Sequence, residues 1–226
     1  MMSMDEKGET TPTTRRPIQA RDSKAAVKIA SVLARMRIRP NTISVFSVVF
    51  SVVAGVCFAM TAWPSSALIT ATLFVAGAIC VQLRLLCNLF DGMVAVEGGL
   101  KTKSGEVFNE LPDRFSDVVI FIGLGYAASA VPFGVELGYI AAVLAVITAY
   151  VRTLGAVTGA GQNFMGPMAK QHRMATVTIA AIFSAPAVFQ SFHPWILTVS
   201  LGIVTAGMFF TIIRRTLWVI RTLEGN

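Results

Sequence analysis

Residues 88–117 read NLFDGMVAVEGGLKTKSGEVFNELPDRFSD, a polar segment in the middle of a strongly apolar chain. Six of the chain's twelve acidic residues lie in this segment. They are Asp91, Glu97, Glu106, Glu110, Asp113 and Asp117. Ionisable side chains are costly inside a membrane and usually face a partner or a polar cavity. The segment therefore marks a candidate functional site.

The rest of the chain has the composition of a membrane protein. Of its 226 residues, 54% are hydrophobic and only 14% are charged, whereas a soluble domain carries roughly 25% charged residues. Crossing a membrane takes about 20 mostly apolar residues, and the predicted spans are 42–62, 66–90, 115–132, 137–159, 174–190 and 195–213. We therefore expect an all-α integral membrane protein, with six transmembrane helices in one membrane domain at 40–226.

Basic residues occur on only one side of these spans, in every other connection along the chain. They precede span one and fall between spans two and three, between spans four and five, and after span six: Arg15, Arg16, Arg21, Lys24, Lys28, Arg35, Arg37, Arg39, Lys101, Lys103, Lys170, Arg173, Arg214, Arg215 and Arg221. The other connections contain no Lys or Arg. Both termini and the acidic segment are therefore expected on the cytoplasmic side of the membrane. We expect this membrane to be a bacterial inner (plasma) membrane. The net charge of +7 would attract anionic membrane lipids, and nucleic-acid binding is not expected.

The N-terminal region precedes the first span. Residues 1–14 are expected to form a disordered tail without a cleavable signal peptide. Residues 15–39 are expected to contain an amphipathic helix with an apolar stripe of Ile29, Val32, Leu33 and Met36. Such a helix would lie in the membrane interface. The alternative is a solvated amphipathic helix packed on the membrane domain.

Two consecutive helices are expected to carry the polar segment. Asn88 and Asp91 share one face, with Arg84 a turn further in, and the next helix presents one face that carries Glu106, Asn109, Asp113 and Asp117. Carboxylate and amide oxygens are the ligands that Mg²⁺ and Mn²⁺ prefer. The pattern indicates a metal site, and the alternative is a structural polar network or solvated helix ends.

The same residues resemble the signature of the CDP-alcohol phosphotransferases, D-x2-D-G-x2-A-R followed after a gap by G-x3-D-x3-D. This chain has Asn88-x2-Asp91-Gly92-x2-Ala95-Val96 and then Gly105-x3-Asn109-x3-Asp113. The resemblance implies transfer of a phosphatidyl group from CDP-diacylglycerol to a polar alcohol, with release of CMP. It also implies a homodimer.

Site roles follow from the resemblance position by position. Asn88, Asp91, Asn109 and Asp113 would hold Mg²⁺ or Mn²⁺, two ions in the family pattern, and Asp113 would be the catalytic base. Gly92, Ala95 and Gly105 would lie at the nucleotide.

This chain departs from the family signature at three positions. Asn88 and Asn109 replace two aspartates, and Val96 replaces the arginine. Two negative charges therefore stand where the family has four, and Glu106, Glu110 and Asp117 are candidates for additional acidic ligands. In an alternative register Asp113 and Asp117 would be the last two acids, which would put Asn109 where the family has glycine.

A second basic cluster, Arg152, Lys170 and Arg173, is similar to the segment of family members that accept a phosphorylated polyol. These side chains would bind an acceptor phosphate, and the alternative is ordinary anchoring at the cytoplasmic face.

Arg84 and Asp117 are expected at equal depth on antiparallel helices and should form a structural ion pair. Alternatively, Arg84 reaches a substrate phosphate. Two rival functions remain open: a catalytically impaired relative that binds lipid or nucleotide, and a transporter.

Overall fold

The computed structural model describes residues 23–63, 65–99 and 104–225. These residues form helices and no strand, so the predicted all-α class is confirmed. The helices are α1 (Lys24–Arg35), α2 (Pro40–Met60), α3 (Ala67–Glu97), α4 (Gly105–Ala127), α5 (Gly134–Val157), α6 (Lys170–Ala187) and α7 (His193–Glu224). A 3-10 turn, Val188–Gln190, follows α6.

Five of these helices, namely α2, α3, α5, α6 and α7, are long and apolar enough to cross a membrane. The predicted third span, 115–132, falls on α4, which begins earlier, at Gly105. Helix α4 carries five charged residues among its first 13 positions: Glu106, Glu110, Asp113, Arg114 and Asp117. Because of these charges, α4 is not apolar enough to be identified as a membrane-spanning helix. The described residues therefore contain five clear spanning helices, where six spans were predicted.

The six long helices close into a ring in which each packs mainly against two neighbours, and α4 and α7 also touch across the ring. The order around the ring is α3, α2, α4, α5, α7 and α6, returning to α3. Helix α2 thus lies between the two motif helices, α3 and α4. In the described part of the chain, α3 and α4 meet through side chains across the interior rather than along their backbones.

Glycines fix the position of α4 in the ring. A Cβ atom on Gly123 would lie 2.3 Å from the carbonyl oxygen of Gly55, and one on Gly138 would lie 2.5 Å from the Cα of Gly125. Helix α4 therefore touches α2 and α5 backbone to backbone, as small residues allow in membrane proteins. This close fit holds the acidic side of α4 toward the interior.

Helix α1 packs on the outside of α3. Ser23 caps its first turn by accepting a hydrogen bond from the backbone N–H of Ala26, and Ala26 and Ala30 are buried in one cluster with residues of α3. The predicted apolar stripe divides, because Leu33 joins this cluster while Ile29, Val32 and Met36 are exposed. The helix ends at Arg35, before the predicted limit at residue 39, and residues 1–22 lie outside the described part.

Candidate active site

Two layers of polar side chains fill the ring interior near one end of α3, α4 and α6. Each layer takes one residue from each of these helices, and the layers are one helical turn apart because the residues are spaced by three or four positions. The inner layer, nearer the middle of the helices, consists of Arg84, Asp117 and Arg173. The outer layer consists of Asn88, Asp113 and Lys170.

Asp117 holds the inner layer together. Its Oδ1 accepts a hydrogen bond from Arg84 Nη2 at 2.6 Å, and its Oδ2 accepts one from Arg173 Nη2 at 2.8 Å. The structure thus brings together the pair expected from the sequence and adds a second arginine. Arg84 is 0% exposed and Arg173 is 2% exposed. Neither guanidinium is open to a ligand that enters from solvent.

The inner layer has more donors than acceptors. Among the described residues, Nε and Nη1 of Arg84 and Nε of Arg173 have no hydrogen-bond partner. Two guanidinium groups share one carboxylate, so the layer carries an excess positive charge. Asp117, the last acid of the alternative motif register, is therefore held by two arginines and is 1% exposed.

Asp113 is the centre of the outer layer. Its Oδ1 accepts a hydrogen bond from Asn88 Nδ2 at 2.8 Å, and its Oδ2 lies 2.5 Å from Lys170 Nζ. Arg84 Nη2 lies 3.6 Å from the same Oδ1. Three helices therefore converge on this carboxylate, and both of its oxygens are engaged.

Asp91, one turn further along α3, is held by α2. The hydroxyl of Ser44 donates to Asp91 Oδ2 at 2.7 Å, and both residues are buried. The sequence interpretation missed Ser44. Its signal was the spacing of Ser44, Ser47 and Ser51, which places three buried hydroxyl groups along one face of α2.

A third ionic cluster lies about one helical turn beyond the outer layer, toward the first residue of α4. Glu110 Oε2 accepts hydrogen bonds from both Arg114 and Arg152. The guanidinium of Arg152 also lies over the ring of Phe164, 5.4 Å from its centroid. Glu110, a candidate extra metal ligand, is therefore already paired with two arginines.

The remaining predicted site residues lie near the end of α3 and the beginning of α4. Asn109 is exposed, Gly92 and Ala95 are half-buried on α3, and Gly105 begins α4. The side chain of Glu106 lies outside the described part of the structure.

The segment before α6 positions Lys170. Arg215 of α7 donates from Nε to the carbonyl oxygen of Met165 at 2.8 Å and from Nη1 to that of Thr148 at 3.0 Å. The N–H of Met168 donates to Thr211 Oγ1 at 3.1 Å. These bonds fasten the segment to α5 and α7, so the first turn of α6 has a fixed place beside Asp113.

The donor chemistry of the motif positions fits a divalent cation. Asp91 and Asp113 supply carboxylates, and Asn88 and Asn109 supply amide oxygens, which are ligands of the kind that Mg²⁺ and Mn²⁺ accept. No three Asp, Glu, His or Cys side chains form a ready ligand set within the described ranges. Asp113 is held by a lysine and an arginine, whereas Asp91 accepts hydrogen bonds from neutral donors, the Ser44 hydroxyl and the backbone N–H of Gly92.

Comparison with known proteins agrees with the motif. No protein-family model matches the chain. The chain is 27% identical over 201 residues to a phosphatidylinositol phosphate synthase of Mycobacteroides abscessus, a match that covers 87% of this chain and 84% of the relative.

Solved structures of a phosphatidylinositol phosphate synthase of Mycobacterium tuberculosis have the same fold. One with bound CDP-DAG is 22% identical, with a TM-score of 0.69 over 87% of this chain and 94% of that chain. Another, in complex with manganese and citrate, is 24% identical, with a TM-score of 0.70 over 86% and 88%.

The chain thus has the all-helical fold of the solved phosphatidylinositol phosphate synthases. The resemblance to the CDP-alcohol phosphotransferases predicted from the sequence is confirmed by this similarity in sequence and in fold.

Proposed function

We propose that this chain is a membrane transferase of phospholipid biosynthesis. It moves a phosphatidyl group from CDP-diacylglycerol to a polar alcohol and releases CMP. The observation that carries the proposal is Asp113, which stands at the last acidic position of the motif and at the convergence of three helices. The curated relative makes phosphatidylinositol phosphate, so we propose a phosphorylated polyol, inositol phosphate, as the first acceptor to test.

Asp113 would act on the acceptor hydroxyl. The hydroxyl oxygen forms a bond to the phosphorus of the phosphatidyl group, and the bond between that phosphorus and the oxygen of CMP breaks. The hydroxyl proton passes to the Asp113 carboxylate, and CMP leaves with the bonding electrons. Asn88 and Lys170 hold the two carboxylate oxygens and thereby orient Asp113 toward the site.

A divalent cation, Mg²⁺ or Mn²⁺, would neutralise charge on the donor's pyrophosphate. Asp91 would hold it with the amide oxygens of Asn88 and Asn109, on the side of the site next to Asp113. Gly92, Ala95 and Gly105 would leave room for the nucleotide. We propose Arg152 and Lys170 for the acceptor phosphate and assign Arg173 to bracing Asp117, since Arg173 is 2% exposed.

The membrane placement completes the proposal. The spanning helices support an integral membrane protein. We propose that the site and both termini face the cytoplasm at the inner membrane, and that two copies form a homodimer as in the family.

The test is release of labelled CMP from CDP-diacylglycerol by the purified full-length protein. The assay contains Mg²⁺ or Mn²⁺ and a panel of acceptors that includes inositol phosphate, inositol and glycerol phosphate. Asp113→Asn should abolish turnover because the variant cannot take up the hydroxyl proton. The matched control is Glu136→Gln, an exposed carboxylate in the first turn of α5, which should retain activity. Full activity in Asp113→Asn would contradict the mechanism.

One observation favours a second candidate, a catalytically impaired relative that binds the donor without transfer. Two family carboxylates are amides, and Lys170 engages the proposed base. Binding of CDP-diacylglycerol without CMP release, for every acceptor and both cations, would support this candidate instead.

A further inference from the structure

The two polar layers and Asp91 together are already neutral. They contain three carboxylates, Asp91, Asp113 and Asp117, and three cations, the buried Arg84 and Arg173 and the partly exposed Lys170. The three negative and three positive charges balance. A centre of four carboxylates, by contrast, has four negative charges to offer to two divalent cations. The described residues therefore do not have the charge of a two-metal centre.

Lys170 is the residue that makes the difference in the outer layer. Its ammonium lies 2.5 Å from Asp113 Oδ2, a direct contact with the carboxylate that a second cation would need. The amide of Asn88 donates to the other oxygen of Asp113. This arrangement requires an amide at position 88, because an aspartate there would place a second carboxylate against Asp113.

The inner layer gives independent support. The unpartnered Nε and Nη1 of Arg84 and Nε of Arg173 show that this layer has more donors than it needs. Such a layer attracts acceptor oxygens and repels further cations. Both layers thus argue against additional positive charge at Asp113.

We propose that Lys170 is a built-in counter-cation that takes the place of one divalent metal ion, so that the motif site binds a single divalent cation on the Asp91 side. Asn88 and Lys170 act as one unit: the amide removes a negative charge and the ammonium supplies a positive one. The inference concerns metal stoichiometry and refines the proposed function without depending on turnover.

The experiment measures Mn²⁺ binding to the full-length protein in phosphatidylcholine nanodiscs, using the electron paramagnetic resonance signal of free Mn²⁺. The unmodified protein should bind one ion. Lys170→Met should tighten Mn²⁺ binding by about tenfold or more, because a neighbouring positive charge is removed. Asn88→Asp combined with Lys170→Met should bind two ions. Lys28→Met, which changes an exposed lysine on α1, should leave binding unchanged.

Lys170→Gln, which keeps a hydrogen-bond donor for Asp113, provides a second variant should Lys170→Met fail to fold. Two Mn²⁺ ions bound by the unmodified protein would overturn the inference. So would a Mn²⁺ affinity that neither Lys170→Met nor Lys170→Gln changes. The result is separate from the function test: one-ion binding without CMP release would uphold the inference while the transferase proposal fails.

Discussion

Asp117 shares its carboxylate between two buried arginines, so the three residues of the inner layer are not equivalent. Asp117→Leu leaves Arg173 buried without a counter-charge and leaves Arg84 with only its longer contact, 3.6 Å, to Asp113, so we expect a loss of roughly 3–5 kcal/mol in unfolding free energy. Arg84→Met leaves the Asp117–Arg173 pair intact. It should cost less, about 1–3 kcal/mol, mainly through lost hydrogen bonds. Denaturant unfolding of the detergent-solubilised protein measures both losses.

The double variant Arg84→Met with Asp117→Leu should recover only part of the loss, because Arg173 stays unpaired. Sequence reasoning alone expected simple pairing, in which the double variant would restore most of the stability. Equal losses for Arg84→Met and Asp117→Leu would contradict the shared-carboxylate arrangement.

At the scale of the helices, the crossing of α2 and α4 depends on the absence of a side chain at Gly123. A methyl group there would lie 2.3 Å from the Gly55 carbonyl oxygen, so Gly123→Ala should push the helices apart. We expect a loss of about 1–3 kcal/mol in stability and reduced activity, because Asp113 and Asp117 lie on the displaced helix. The matched control is Gly202→Ala on α7, where a Cβ would meet no atom within 4 Å. Gly202→Ala should be neutral or slightly stabilising, and an equal loss in both variants would refute the argument.

Helix-level features were predictable where they depend on local spacing. The apolar runs predicted the long helices, and the three- and four-residue spacings placed Arg84 opposite Asp117. The hydrogen bond between Asn88 and Asp113 was not predicted. The contacts of Lys170 and Arg173 were not predictable, because these residues lie more than fifty positions from their partners and reach them only when the ring closes. The place of α2 between α3 and α4 likewise depends on how the whole bundle packs, which no local pattern encodes.

At the scale of the whole molecule, the alternation of basic residues predicts that both termini lie in the cytoplasm. A green fluorescent protein fused after Asn226 should therefore fluoresce in bacterial cells, and alkaline phosphatase fused at the same point should be inactive. Alkaline phosphatase fused after Phe133, in the connection between α4 and α5, should be active and serves as the opposite control. An active phosphatase at the C-terminus would reverse the orientation and with it the cytoplasmic site.

The inner layer also constrains the order in which the chain is assembled during synthesis. Arg84 and Asp117 belong to helices made early, and they can satisfy each other's charge as soon as α3 and α4 have entered the bilayer together. Arg173 is synthesised later, on α6, when its partner carboxylate, Asp117, is already present on α4. Helix α6 is the least apolar of the five spanning segments, so we expect this ion pair to favour its insertion into the membrane. We therefore expect a substitution of Asp117 to reduce the membrane insertion of the second half of the protein during synthesis, before any effect on the folded protein.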